Sequence, residues 1–132
     1  EAKALYNALS GAMEAGLGSS CHDCSEGGLA VALAETAFAG GLGMNVDLSQ
    51  GPATGISRDD YLLFSETQSR FVVTVAPEKR DAFESMLGTN CFARIGRVTE
   101  EGLFVVMGMK GNEIIREKCD DLKEAWQRPL DF

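Results

Sequence analysis

The chain has 132 residues, enough for one compact domain, and 45% of them are hydrophobic, so a core can form unaided. Twenty acidic and twelve basic side chains leave a formal charge of −8, which argues against partnership with nucleic acid or an anionic membrane. No apolar run reaches the roughly 20 residues of a membrane span, and four cysteines are too few for a disulfide scaffold. A reducing, cytoplasmic location is therefore expected.

The first residues already have the sequence of a helix. The chain begins Glu1-Ala2-Lys3, without Met, and Leu5, Leu9 and Ala12 recur at helical spacing. A natural N-terminus usually offers a cap or a frayed lead-in first. We therefore expect residues 1–132 to be a single domain taken from a longer polypeptide.

Further along the chain, periodicity and turn residues predict alternating helices and strands. After the first helix come a short strand at 19–22, a helix at 29–39, a strand at 43–48 and a short apolar turn at 61–64. Next come a strand at 69–76, a helix at 77–87, a hairpin of strands at 91–99 and 103–109, and a last helix from 120. In the strand at 69–76, Phe71, Val73 and Val75 share one face. This order predicts an α+β fold with one mixed sheet and packed helices.

A first polar cluster lies at 21–29, Cys-His-Asp-Cys-Ser-Glu-Gly-Gly-Leu, where a strand gives way to a helix. Gly27 and Gly28 lack a Cβ, so a ligand can approach the amides that open the helix, and such amides bind phosphate. Asp23 beside them is placed to hold Mg²⁺ between phosphate oxygens. The alternative is that Ser25 and its neighbours merely cap the helix, and the residues alone leave both interpretations open.

Cys21 and Cys24 form a Cys-x-x-Cys pair, an arrangement found in redox disulfides and in zinc sites. A zinc site needs a second pair, but Cys91 and Cys119 are isolated, and a thioredoxin-like motif has no glycine pair behind it. The pattern favours cysteines that are buried and serve only to fill the core. A zinc site and a redox pair both stay open as alternatives.

A second polar cluster lies at 63–70, Leu-Phe-Ser-Glu-Thr-Gln-Ser-Arg, where a loop leads into the clearest strand. Ser65, Glu66, Ser69 and Arg70 are candidate ligand contacts, because polar ligands are commonly bound at the rim of a sheet. The alternative, slightly favoured by the residues alone, is a capped turn in which Glu66 and Arg70 form a solvated ion pair of little energetic value.

The charge distribution restricts what the first cluster can bind. The first fifty residues hold six acids and one Lys, a net charge of −5. A phosphate near Ser25 must therefore depend on amide dipoles, a metal ion or basic groups from another domain. This favours a small nucleotide or sugar phosphate over a polymer.

Residues 22–35 resemble the His-Asp-x-Ser-(Asp/Glu)-Gly-Gly-Leu signature of the phosphoribosylformylglycinamidine synthases. Residues 63–71 resemble the second signature of that family, Phe-(Ser/Gly)-Glu-Ser-x-Ser-Arg, with Thr67 where Ser is common. Order and spacing agree, and the resemblance covers essentially the whole chain. It implies a C-terminal domain of the aminoimidazole-ribonucleotide-synthetase superfamily, a mixed sheet with packed helices belonging to a multidomain synthetase subunit.

The resemblance also implies an activity for the whole enzyme. This family converts formylglycinamide ribonucleotide and glutamine-derived ammonia to the amidine in purine biosynthesis, with ATP hydrolysed. It implies Mg²⁺ and ATP or ADP in the full-length enzyme, with none held tightly by this domain alone. By carry-over, Asp23 is a Mg²⁺ ligand and Ser25, Gly27 and Gly28 contact the nucleotide, while no catalytic residue falls in this chain. The implied partners are the remaining synthetase domains, a glutaminase subunit, a small accessory subunit and the ribonucleotide.

Two other identities stay open. One is the equivalent domain of another superfamily member, such as aminoimidazole ribonucleotide synthetase, selenophosphate synthetase or a hydrogenase-maturation protein. The motif from Ser65 to Arg70 speaks against these, since it is expected chiefly in the amidine synthase. The other is a non-catalytic ligand-binding module.

Overall fold

The structure is a computed structural model that describes residues 1–130. Five α-helices lie within these residues: α1 (Ala2–Glu14), α2 (Gly28–Ala39), α3 (Asp59–Phe64), α4 (Arg80–Leu87) and α5 (Cys119–Gln127). The strands are β1 (Ser20–Asp23), β2 (Gly43–Asp47), β3 (Phe71–Thr74), β4 (Gly96–Thr99), β5 (Leu103–Met107) and β6 (Glu113–Lys118). Short 3₁₀ turns lie at Leu48–Gln50, Pro77–Lys79 and Arg128–Leu130. The predicted helices and strands are thus largely present, and the α+β class is confirmed.

The strands form two sheets instead of the single sheet that the element order predicted. β1 and β3 pair antiparallel with each other, and Asp23 at the end of β1 lies opposite Phe71 at the start of β3. The other four strands lie in the order β4-β2-β5-β6, in which β2 is parallel to β5 and antiparallel to β4. The larger sheet is therefore mixed, as expected.

The predicted hairpin between β4 and β5 is wrong, because β2 lies between these two strands. Gly43, at the start of β2, is opposite Thr99, and the next residue of β2 is opposite Phe104. A Cβ on Gly43 would lie 2.5 Å from the carbonyl oxygen of Leu103 and 2.7 Å from the Thr99 hydroxyl. The chain linking β4 to β5 thus crosses the start of β2 where a side chain is missing.

Strand β6 was not predicted from the sequence. Its residues Glu-Ile-Ile-Arg-Glu-Lys carry four charges and do not alternate between apolar and polar. Among the described strands it pairs with β5 alone, so it is an edge strand of the larger sheet. Charged side chains are typical of such edges, since they discourage pairing with other chains.

The main core lies around α2, whose sequence Gly-Leu-Ala-Val-Ala-Leu-Ala-Glu-Thr-Ala-Phe-Ala is apolar on nearly every side. A helix of this kind is buried from more than one direction. Its core residues join Val72 of β3 and, from the larger sheet, Met44, Val46, Phe104 and Val106. α2 therefore packs against both sheets, and its N-terminus meets the end of β1.

A second, smaller core lies between α1, α4 and the outer face of β3. Leu9 and Ala12 of α1 are buried there with residues of α4, and Phe71, Val73 and Val75 pack against them. Val72 faces the main core instead. The predicted alternation of β3 is confirmed.

None of the helices within residues 1–130 combines the length and apolar character that crossing a membrane requires.

Candidate functional site

The two polar clusters identified in the sequence meet at the N-terminus of α2. The amide of Gly27 donates a 2.8 Å hydrogen bond to a carboxylate oxygen of Glu66, and the amide of Cys24 donates to the carbonyl of Arg70 at 2.9 Å. The clusters are far apart in the chain, so this contact depends on the pairing of β1 with β3. Their junction forms one site rather than two.

Two consecutive glycines make this junction possible. Gly27 and Gly28 have φ angles of 77° and 65°, in the left-handed region that costs little only for glycine. A Cβ on Gly28 would lie 2.6 Å from the carbonyl oxygen of Ser65 and 2.8 Å from that of Leu63. The backbone of the second cluster therefore passes directly against Gly28, where no side chain fits.

The anion that faces the start of α2 in the structure is the carboxylate of Glu66. The positive end of the helix dipole and the free first-turn amides favour an anion at this place. The Gly27 amide is engaged by Glu66, and the Gly28 amide donates to the carbonyl of Ser25 at 3.1 Å. The backbone amides of Gly27 and Gly28, both predicted to contact a nucleotide, thus already donate to acceptors within the chain. Their contact with a nucleotide stays a prediction.

Arg70 and Ser69 hold the second cluster in place. The Arg70 guanidinium donates to the carbonyl of Leu62 at 3.3 Å and also to that of Ser65, while its buried Nε has no partner among residues 1–130. Ser69 has a φ of 64°, and its hydroxyl lies 2.5 Å from that of Tyr6 on α1. The solvated pair of Glu66 with Arg70 is not formed, because Glu66 contacts Gly27 and Arg70 contacts backbone carbonyls. A ligand contact by Ser65, Ser69 or Arg70 stays a prediction.

Beside the junction is an open pocket of about 280 Å³ that contains two of the predicted ligand contacts, Asp23 and Ser25. Its lining also includes His22, Glu26, Ala32 and Glu35. The Asp23 side chain is 63% exposed, so its carboxylate is accessible to a ligand. With three carboxylates in the lining, the pocket is strongly acidic, as the charge of the first fifty residues predicted.

His22 lies between two of these carboxylates. Its Nε2 is 2.5 Å from Glu35, and its Nδ1 is 3.4 Å from Asp23. The hydrogen bond to Glu35 raises the pKa of His22 above its ordinary value, and the charges of Glu35 and Asp23 add to this against the opposite effect of partial burial. Folding therefore strengthens proton binding by His22 relative to the unfolded chain.

Sequence reasoning overlooked Glu35 and its second partner, Trp126. The Trp126 indole N–H donates to the other Glu35 carboxylate oxygen at 2.9 Å. A signal for Glu35 was present, because it is the single charged residue in the apolar sequence of α2. A charge on such a helix needs partners. Nothing local to Trp126 indicated that it would be one of them.

Within residues 1–130, no group of three or more His, Cys, Asp and Glu side chains is arranged to hold a metal ion. Asp23 fits Mg²⁺ only as one oxygen ligand among several, since the cation is commonly bound by one or two carboxylates together with phosphates and water. The chain therefore has no self-sufficient Mg²⁺ site in its described part.

The four cysteines are free thiols. Cys24 and Cys119 are buried in the main core, as the packing interpretation predicted, but Cys21 and Cys91 are exposed, so that interpretation is wrong for these two. Cys21 lies opposite Val73, on the face of β1 toward the smaller core, so the Cys-x-x-Cys pair does not converge on one site. Although the residue is exposed, partial desolvation of its sulfur and then the negative charge of Asp23 raise the pKa of the Cys21 thiol, which disfavours the reactive thiolate.

Residues 1–108 match the family described as AIR synthase related protein, C-terminal domain. The chain belongs to this family. Among curated relatives of this AIR synthase related domain is the phosphoribosylformylglycinamidine synthase subunit PurL of Limosilactobacillus reuteri, 44% identical over 118 residues. That alignment covers 89% of the chain but 15% of the relative, so the chain matches only about a seventh of the length of that protein.

Solved structures agree with this relationship. PurL of Thermotoga maritima complexed with FGAR superposes with a TM-score of 0.81 at 26% identity, covering 92% of the chain and 20% of that protein. The same enzyme complexed with ADP gives a TM-score of 0.78 at 26% identity, covering 89% and 21%. The family resemblance drawn from the two signatures is thus confirmed.

Proposed function

We propose that the chain is the C-terminal domain of a phosphoribosylformylglycinamidine synthase. In this role it serves an ATP-dependent ligase that converts formylglycinamide ribonucleotide to its amidine with ammonia derived from glutamine. The observation that carries the proposal is the junction of the two signatures, in which Gly28 admits the backbone of the second signature and Glu66 accepts from Gly27. The PurL names of the relatives support the same reaction.

Within this role the acidic pocket is the place for a nucleotide contact. Asp23 and Ser25 line it, and Asp23 is exposed. When bound, Mg²⁺ would supply positive charge that offsets repulsion between phosphate oxygens and the carboxylates of the pocket, with Asp23 as its ligand from this chain. A phosphate contact at Gly27 requires Glu66 to leave the amide it now accepts from.

The domain is proposed to act only together with others. The partners are the remaining synthetase domains, a glutaminase subunit, a small accessory subunit and the ribonucleotide substrate, in the cytoplasm. The relative from L. reuteri is itself named as a subunit, which supports an assembly of this kind. A chain with a net charge of −8 has no electrostatic attraction to nucleic acid. On its own, the 132-residue chain is expected to fold but to form no amidine.

A chimera tests the proposal. The segment of the L. reuteri relative that aligns with this chain is replaced by the chain itself, and amidine formation from formylglycinamide ribonucleotide, ammonia and ATP is measured. We expect activity in the chimera and none in the relative without the segment or in the isolated chain. A chimera that folds but forms no amidine would contradict the proposed reaction, and amidine formation by the isolated chain would contradict the role as a dependent domain.

A further inference from the structure

A line of polar contacts leads from the C-terminal helix to the pocket. Trp126 on α5 donates to one oxygen of Glu35, whose other oxygen lies 2.5 Å from His22 Nε2. The second ring nitrogen of His22 faces the Asp23 carboxylate at 3.4 Å. Four side chains from three elements, α5, α2 and β1, are thus joined in one series that ends at the accessible carboxylate of the pocket.

Glu35 is the central member of this series. A carboxylate on an otherwise apolar helix is costly unless its oxygens are satisfied, and here each oxygen has its own donor. Its side chain is 26% exposed, so the bonds are partly protected from water. With both oxygens engaged, Glu35 has little freedom to turn, and the ring of His22 is held with it.

Trp126 contributes a directed hydrogen bond more than buried surface. It is 52% exposed, and its ring touches Phe38 of α2 at a centroid distance of 5.8 Å with a tilt of 50°. It lies on α5, outside the residues 1–108 that match the family. The support for the pocket is therefore completed by a part of the chain that the family description does not include.

We propose that Glu35 and Trp126 are positioning residues, which act through His22 to fix the Asp23 carboxylate at the pocket. The inference rests on the proposed function in one respect, that the pocket binds a nucleotide. The series of contacts itself does not depend on that function. With Nε2 directed at Glu35, the other ring nitrogen is presented to Asp23. Groups that orient a ligand-binding side chain in this way commonly change affinity about tenfold or more when removed.

The first measurement uses the imidazole of His22, the single histidine of the chain, so its ring ¹⁵N and ¹H signals need no assignment. Trp126→Phe keeps an aromatic ring against Phe38 and removes the indole donor, while Glu35→Gln keeps the shape and removes one of two carboxylate acceptors. Glu124→Gln, on the exposed side of α5, is the matched control. We expect the ring N–H of His22 to exchange about fivefold faster in Trp126→Phe, the factor equivalent to one hydrogen bond of about 1 kcal/mol.

The second measurement uses the chimeric synthase and counts the nucleotide retained per molecule after purification in ADP and Mg²⁺. Trp126→Phe and Glu35→Gln are expected to weaken ADP retention about tenfold, as Asp23→Asn is also expected to do, while the circular dichroism spectrum of the folded chimera stays unchanged. Glu124→Gln is expected to behave as the unmodified chimera. Normal retention in both variants, together with an unchanged His22 ring signal, would overturn the positioning role.

The two measurements separate this inference from the proposed function. If the unmodified chimera retains no ADP and forms no amidine, the proposed function fails, and the His22 exchange rate alone decides whether Trp126 and Glu35 hold the ring. If the chimera is active but Trp126→Phe leaves the His22 exchange rate and ADP retention unchanged, the positioning role fails and the proposed function stands.

Discussion

Replacing Gly28 by alanine tests the close approach between the two signature segments. Two costs add at this position. The first is the left-handed backbone at a φ of 65°, which costs a residue with a Cβ about 1–2 kcal/mol. The second is the overlap with the carbonyl oxygens of Ser65 and Leu63, at 2.6 and 2.8 Å, which forces the backbone apart and costs about 1–3 kcal/mol by analogy with overpacked cores.

The matched control is Gly102→Ala, because Gly102 has a φ of 67° and nothing within 4 Å of its Cβ position. The control should lose about 1–2 kcal/mol of unfolding free energy, from the backbone alone. Gly28→Ala should lose about 2–5 kcal/mol, the sum of both costs. Urea unfolding followed by circular dichroism measures both values. A loss in Gly28→Ala no larger than in Gly102→Ala would refute the close approach.

Three further predictions concern His22, Glu66 and the four cysteines. The pKa of His22 is raised in the folded chain, so its contribution to stability should be full below about pH 6.5 and decline as pH rises through the folded value, a dependence that His22→Gln should abolish in urea unfolding. Glu66→Ala removes the acceptor for the Gly27 amide and should cost about 0.5–2 kcal/mol, as the loss of a helix cap does, whereas Glu66→Gln should cost less. Under native conditions, a thiol reagent should modify Cys21 and Cys91 and reach the other two cysteines only after unfolding.

Each of these has a contrary result. Stability that is equally pH-dependent in His22→Gln would assign the dependence to other groups. Glu66→Ala with unchanged stability would mean that water replaces the carboxylate at the amide without loss. Four thiols reacting at one rate in the native chain would contradict the burial of Cys24 and Cys119.

Local sequence patterns correctly predicted those helices and strands whose side chains meet the core at regular intervals along the chain. The alternation in β3 was correct because each of its faces meets a separate apolar cluster. The hairpin of β4 and β5 was wrong because a three-residue connection normally joins neighbouring strands. The absence of a side chain at Gly43, a fact about a distant segment, leaves room for the connection from β4 to β5 to cross the start of β2. β6 escaped notice because an edge strand has little need of apolar residues.

The candidate site divides in the same way. The glycines and polar residues of both clusters were predicted from their chemistry, and their family from the signatures. The contact of Gly27 with Glu66 was not predicted, because it depends on the register of β1 and β3. Glu35 and Trp126 were overlooked for a similar reason, since their hydrogen bond joins residues that only the packing of α5 on α2 brings together.

The insertion of β2 between β4 and β5 also determines when the larger sheet can form. β4 and β5 are close in sequence but make no ladder with each other, so neither gains a partner from a local turn. β2 is synthesised about fifty residues before β4, so it must wait for its partners, and closing a loop of that length delays pairing further. During translation, the β2 segment is therefore exposed without either of its partners until the segment beyond residue 96 emerges. This interval is when a chaperone or a neighbouring chain could most readily pair with it.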